Sequence, residues 1–153
     1  MAESRFIYVT YIRTTPEKLW RALTHPEFTR QYWFATWQEC DWQPGAPWKI
    51  MAPDGRIADA GEVLEIDPPR RLVLSWQHQL GDEMRDEGVS RMTYEVEQQG
   101  EMVKLTVLHE IDKPGSKFLE GVSQGWPIIL ASLKSLLETG ASLEATRRWP
   151  EGM

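Results

Sequence analysis

The chain opens on an alternating run: residues 6–13 (FIYVTYIR) are rich in β-branched and aromatic types and predict a first strand. Thr14-Thr15-Pro16-Glu17 then carries a helix start, with Thr15 as N-cap and Pro16 in the first helical position. The helix reaches Leu23, with Leu19, Trp20 and Leu23 on one face. His25-Pro26 breaks it, and a second short helix over 26–33 presents Phe28 and Tyr32 inward. Six strand candidates follow, at 36–42, 46–52, 57–67, 70–80, 88–98 and 102–112. Gln43-Pro44-Gly45, Pro53-Asp54-Gly55, Asp67-Pro68-Pro69 and Gln99-Gly100 are turn sequences between them. The acidic stretch 81–88 reads as a solvated loop. Connections this short predict an antiparallel meander, because parallel pairing needs long crossovers.

From Phe118 onward the period changes. Apolar residues recur at 118, 119, 122, 126, 129, 130, 133, 136 and 137, the 3.6-residue repeat of one long helix that stops at Gly140. Leu130, Leu133 and Leu137 should bury against the sheet. Pro127 takes the donor from the Ser123 carbonyl and predicts a kink. Gly121, Gly125 and Ser132 form a stripe of small residues, which either lets the helix approach the sheet closely or leaves space beside Trp126. Residues 1–140 thus make one domain, and 141–153 lose the period and read as a loose tail. The fold class is α+β: a curved antiparallel sheet of six or seven strands around a long C-terminal helix, with two short helices after the first strand.

The last hairpin sets the faces. With Gln99-Gly100 as a two-residue turn, Tyr94 opposes Leu105 and Met92 opposes Val107. Val103, Leu105, Val107 and His109 then share the buried face with Val96, Tyr94, Met92 and Ser90. Leu72, Leu74, Trp76 and His78 extend this face, as do Trp48 and Ile50; in the first two strands the alternation does not choose a side. His78, His109 and Tyr94 therefore place polar tips in an apolar interior, where each needs a hydrogen-bond partner, water or a ligand.

Composition narrows the chemistry. The 153 residues fit one domain with a substantial core, and 41% hydrophobic with 26% charged residues is a globular balance. A net charge of −6 argues against a broad nucleic-acid surface or a basic patch for anionic lipid. One cysteine, Cys40, excludes an internal disulfide and reads as a small core residue. The N-terminus lacks an apolar signal region and no apolar run is long enough to cross a bilayer, so a cytoplasmic location is expected. The three histidines, 25, 78 and 109, lack metal-site spacing, and no phosphate-binding loop, nucleophile elbow or paired-cysteine motif occurs. No metal, cofactor or catalytic residue is expected.

Eight tryptophans is a high number for this length. Trp20 reads as core. Trp48, Trp76 and Trp126 are open to two readings, core filler or the wall of a cavity for an aromatic or lipid-like ligand. His109 and Glu110 are strand neighbours on opposite faces, so they make no dyad, and His109 is either a hydrogen-bonded core residue or a ligand contact. The resulting candidate set is Trp76, Tyr94, His109 and Trp126 around one shared space, with Trp48, His78 and Met92 nearby.

Four segments resemble a known family. Thr15–Thr24 (TPEKLWRALT), Gly61–Leu72 (GEVLEIDPPRRL), Leu105–Glu110 (LTVLHE) and Gly125–Gly140 (GWPIILASLKSLLETG) are similar in type and order to the Activator of Hsp90 ATPase homologue-like group of the START/Bet v 1-like (SRPBCC) superfamily. The resemblance spans roughly residues 6–140. It implies a helix-grip fold, a cavity between sheet and long helix, and hydrophobic small-molecule binding as the commonest theme. It transfers no catalytic residue, and the sequence offers nothing of its own for a chaperone partner. A small hydrophobic ligand is the expected partner, with a weak homodimer. The rivals are an interaction domain, which an exposed apolar patch on the outer sheet face would favour, and a cyclase-like enzyme using His78, His109 and Tyr94 for proton transfer.

Overall fold

The computed structural model describes residues 3–151. The first two residues of the expected domain and the last two of the expected tail lie outside the described residues. Among those described, seven strands form one antiparallel sheet in the order β1-β7-β6-β5-β4-β3-β2. They are β1 (Ser4–Ile12), β2 (Trp37–Cys40), β3 (Pro47–Met51), β4 (Ile57–Asp67), β5 (Arg71–His78), β6 (Ser90–Gln99) and β7 (Met102–Ile111). The run from β2 to β7 is the expected meander, and β1 closes it by pairing with β7. Helices α1 (Pro16–Thr24) and α2 (Pro26–Tyr32) bridge β1 to β2, and α3 (Asp82–Arg85) is one turn within the acidic loop. The long helix α4 (Lys117–Thr139) lies across the concave face.

The local chemistry matches these boundaries. Thr15 Oγ1 accepts from the Lys18 amide at 3.2 Å, and Pro16 sits in the first turn of α1. Ser116 Oγ caps α4 by accepting from the Leu119 amide at 3.0 Å. Gly140 ends the same helix in the left-handed conformation at φ 88°, the C-cap that glycine adopts without a Cβ clash. The helix continues through Pro127 as one element. Leu130 and Leu133 are buried in the core, joined by Leu136, whereas Leu137 is half-buried.

The hairpin faces are as expected, but the register is not. Tyr94 pairs with Val107 and Met92 with His109, because the two-residue turn is Gly100-Glu101 and Gln99 opposes Met102. This slips the pairing by two residues, a full side-chain period, so every residue stays on its face. In β1, whose face the sequence leaves open, Ile12 is buried and Phe6 and Tyr8 pack against the core, while Ile7, Val9 and Tyr11 look outward.

Residues 141–151 differ from the loose tail expected. A 3-10 turn, Glu144–Thr146, docks on α4: Thr146 Oγ1 lies 2.7 Å from Ser132 Oγ, which also accepts from the Leu143 amide at 2.9 Å. Ser132 and Thr146 are both fully buried. Periodicity misses this segment because it is held by hydroxyl pairs and turns rather than by an apolar stripe.

Candidate functional site

Between the concave face of the sheet, the end of α2 and the first half of α4 lies a cleft of about 390 Å3. Trp33 and Phe34 form one wall, where the chain leaves α2 and turns through two non-glycine residues at positive φ, Phe34 at 53° and Ala35 at 62°. The sheet supplies Ile50, Asp59, Trp76 and His78. Helix α4 supplies Phe118, Gly121, Gly125, Trp126 and Ile129, and Trp149 of the docked segment borders the space.

The aromatic rings are mutually braced. Trp33 lies 5.2 Å from Trp126 and 6.1 Å from Trp76, centroid to centroid. Trp76 in turn packs at 4.7 Å on Trp48, which is fully buried behind it. Trp48 Nε1 donates to Gln38 Oε1 at 2.8 Å, and Gln38 Nε2 donates to the Leu23 carbonyl at 2.7 Å. A buried indole is thereby satisfied and tied to α1, which stiffens the wall that Trp76 presents.

Of the seven residues expected at the site, Trp76, His78 and Trp126 line the cleft. Trp48, Met92, Tyr94 and His109 do not; all four are at most 1% exposed and sit behind the lining. The reason is the placement of one ring. The Trp126 indole covers the inner face of the sheet, donating from Nε1 to His109 Nδ1 at 3.1 Å and meeting Tyr94 edge-on at 5.9 Å. Phe118 seals the other side of His109 at 5.3 Å. His109 Nε2 lies 2.9 Å from Ser90 Oγ, whose hydroxyl donates to the Trp76 carbonyl at 2.7 Å. Burial holds the His109 imidazole down to a pKa of about 3 and pushes the Tyr94 phenol up, so both stay neutral at ordinary pH. His109 is a core histidine with both nitrogens engaged.

The polar group that does face the cleft is a pair the sequence reading did not assemble. Asp59 stands opposite His78 in the β4–β5 ladder. Its Oδ1 accepts from Trp76 Nε1 at 2.9 Å and lies 3.1 Å from His78 Nδ1. Both side chains are largely sheltered, 13% and 16% exposed. Asp59 escaped notice because it stands among Ala58, Ala60 and Gly61, in a stretch with no apolar alternation. Trp33 and Phe34 escaped because a turn, rather than a periodic element, presents them. The abundance of tryptophan was the available signal for Trp33.

Near the cleft mouth, Glu87 ties the acidic loop to α4. Its carboxylate accepts from Ser116 Oγ at 2.5 Å and from the Lys117 and Phe118 amides at 2.9 and 3.3 Å. Burial pushes the Glu87 carboxyl up, but these hydrogen bonds together outweigh it and hold the group below its ordinary value. Among the described residues, no group of three or more His, Cys, Asp or Glu is arranged to hold a metal ion, and no helix is long and apolar enough to cross a membrane.

A curved antiparallel sheet gripping a long C-terminal helix is the SRPBCC type of fold. Within it, the chain belongs to the Activator of Hsp90 ATPase homolog 1-like protein family, whose model matches residues 13–138. No curated protein matches it in sequence. Solved structures with the same fold include a protein from Mesorhizobium loti, 24% identical, with a TM-score of 0.75 over 88% of this chain and 97% of the other. CalU16 from Micromonospora echinospora is 19% identical, with a TM-score of 0.71 over 89% of this chain and 77% of its own. The Aha1 dimer from Colwellia psychrerythraea is 19% identical, with a TM-score of 0.67 over 90% of this chain and 98% of its own.

Proposed function

We propose that this protein binds a small hydrophobic ligand with an aromatic body in the cleft between sheet and α4. The observation that carries the reading is the lining itself: four indoles and two phenyl rings, Trp33, Trp76, Trp126, Trp149, Phe34 and Phe118, around about 390 Å3, with polar chemistry confined largely to Asp59 and His78. That is the usual make-up of a small-molecule site, apolar walls with a few placed polar groups. The walls are held by core contacts, so little ordering entropy opposes binding.

The test is a titration with N-phenyl-1-naphthylamine, a neutral probe whose emission rises in apolar surroundings, alongside quenching of tryptophan fluorescence. Gly125→Leu is the matched variant. A Cβ built at Gly125 meets nothing within 4 Å, and the position borders the cleft, so leucine fills the space without disturbing the helix backbone. The variant should fold and lose probe binding at least tenfold. A folded Gly125→Leu protein that binds as the wild type does would put the ligand elsewhere. A second reading, an interaction domain, draws on Ile7, Val9 and Tyr11, exposed in a row on the outer face of the edge strand β1. It takes over if no apolar probe binds.

A further inference from the structure

We infer that the Asp59–His78 pair is a hydroxyl-recognition site, and that the ligand class is an aromatic compound carrying a phenolic or enolic O–H that donates to His78 Nε2. This deepens the binding reading above and rests on it.

The argument follows the protons. Trp76 Nε1 can only donate, so Asp59 Oδ1 accepts its proton at 2.9 Å. The same oxygen lies 3.1 Å from His78 Nδ1, and a carboxylate there demands a proton on Nδ1. The tautomer of the neutral imidazole is thereby fixed, with Nδ1 protonated and Nε2 carrying a lone pair. Nε2 makes no hydrogen bond with any described residue, yet it is not among the buried unpartnered atoms and so remains accessible. His78 borders the cleft, and its ring is braced by Phe118 at 6.2 Å.

The cleft therefore offers an oriented acceptor beside stacked indoles. His109 gives the contrast within the same core: both of its nitrogens are engaged, and it has nothing left for a ligand. An acceptor held at the edge of an apolar slot selects a donor on a flat, apolar body. A hydroxylated aromatic ring meets both demands, whereas an aliphatic chain meets neither. The carboxylate behind the imidazole also favours the transfer of charge that accompanies a strong O–H···N bond, since Asp59 stabilises a partly cationic ring. Asp59 acts through His78 and is a positioning residue.

The experiment compares 2-naphthol with 2-methoxynaphthalene, bodies of nearly the same shape that differ in the donor, by tryptophan quenching on wild type and His78→Leu. Wild type should favour the naphthol about tenfold, the equivalent of one good hydrogen bond to a polarised acceptor. In His78→Leu the preference should vanish, with N-phenyl-1-naphthylamine still bound to show that the walls survive. Equal affinity for the two naphthalenes in wild type overturns the inference, as does a preference that persists in His78→Leu. Naphthol that fails to bind while N-phenyl-1-naphthylamine binds refutes the hydroxyl site alone. Failure of all three probes removes the binding reading as well.

Discussion

Trp126 Nε1 can only donate a hydrogen bond, and this decides the state of His109. Nδ1 must accept, so the single proton of the neutral ring is on Nε2 and goes to Ser90 Oγ, which passes its own to the Trp76 carbonyl. A second proton on His109 would face Trp126 N–H with another N–H. Burial lowers the pKa from 6.5 to about 3. The linkage has a definite sign. Above pH 6.5 the histidine is neutral in both folded and unfolded chains and its contribution is fully present. As pH falls from there toward 3, the unfolded chain takes up a proton that the native state refuses, and stability is lost at up to about 1.4 kcal/mol per pH unit. Between pH 6.5 and 5 Glu87, whose folded pKa is also depressed, keeps most of its contribution, which it loses at lower pH. Urea unfolding at these two pH values should show a fall for the wild type that is much reduced in His109→Gln, which keeps one donor and one acceptor. An unchanged fall would mean that another group refuses the proton. The alternation of β7 places His109 inward and leaves its role open between core and ligand contact. Only the position of the Trp126 ring, a tertiary fact, decides between them.

At the scale of elements, period-two alternation was legible and exact pairing was not. Faces in β5, β6 and β7 follow from runs such as Leu72, Leu74 and Trp76, whose burial alternates along the strand apart from Val73. Register depends instead on which two residues make the turn, and Gln99-Gly100-Glu101 offers two adjacent choices. The β4–β5 ladder holds another feature that no pattern announces. At Gly61 the strands approach so closely that a Cβ would lie 1.8 Å from the Ser75 carbonyl oxygen, and the ladder is interrupted between Ala60 and Val63. Ser75 Oγ takes over by accepting from the Glu62 amide at 2.9 Å. Two glycine substitutions should therefore have opposite signs. Gly61→Ala forces backbone apart and should cost about 1–3 kcal/mol or more, as overpacking does. Gly125→Ala, in a helix with open space around the new methyl, should stabilise by about 0.4–1 kcal/mol. Denaturant midpoints decide it, and a neutral Gly61→Ala would show that the sheet relaxes without strain.

For the molecule as a whole, the fold was readable because its two periods, two in the sheet and 3.6 in α4, occupy separate stretches of chain and each names a face. The cleft was only partly readable, since several of its walls come from places where neither period runs: Phe34 in a left-handed turn, Asp59 beside a gap in the strand ladder, Trp149 after the last helix. That last wall makes the C-terminal segment a working part of the domain. Thr146 Oγ1 pairs with Ser132 of α4, both with no exposed surface, and also reaches the Gln31 carbonyl at 3.4 Å, so the 3-10 turn joins α2 to α4. Arg147 fastens the turn from within by donating to Ser142 Oγ at 3.0 Å and to the Ser142 carbonyl at 2.6 Å. Beyond it, Trp149 and Pro150 border the cleft. Ending the chain after Gly140 would leave the Ser132 hydroxyl unpaired in an apolar setting, uncover the α2–α4 seam and remove one side of the slot. The shortened protein should melt several degrees lower in calorimetry, since about 1 kcal/mol shifts the midpoint of a domain this size by roughly 2–4 °C. It should also bind N-phenyl-1-naphthylamine more weakly, whereas Trp149→Ala in the full chain should weaken the probe with a smaller loss of midpoint. The two effects separate the roles of the segment, hydroxyl pairing for stability and the indole for the wall. A shortened chain with the midpoint and probe affinity of the full protein would show that residues 141–151 rest on the surface without contributing to either.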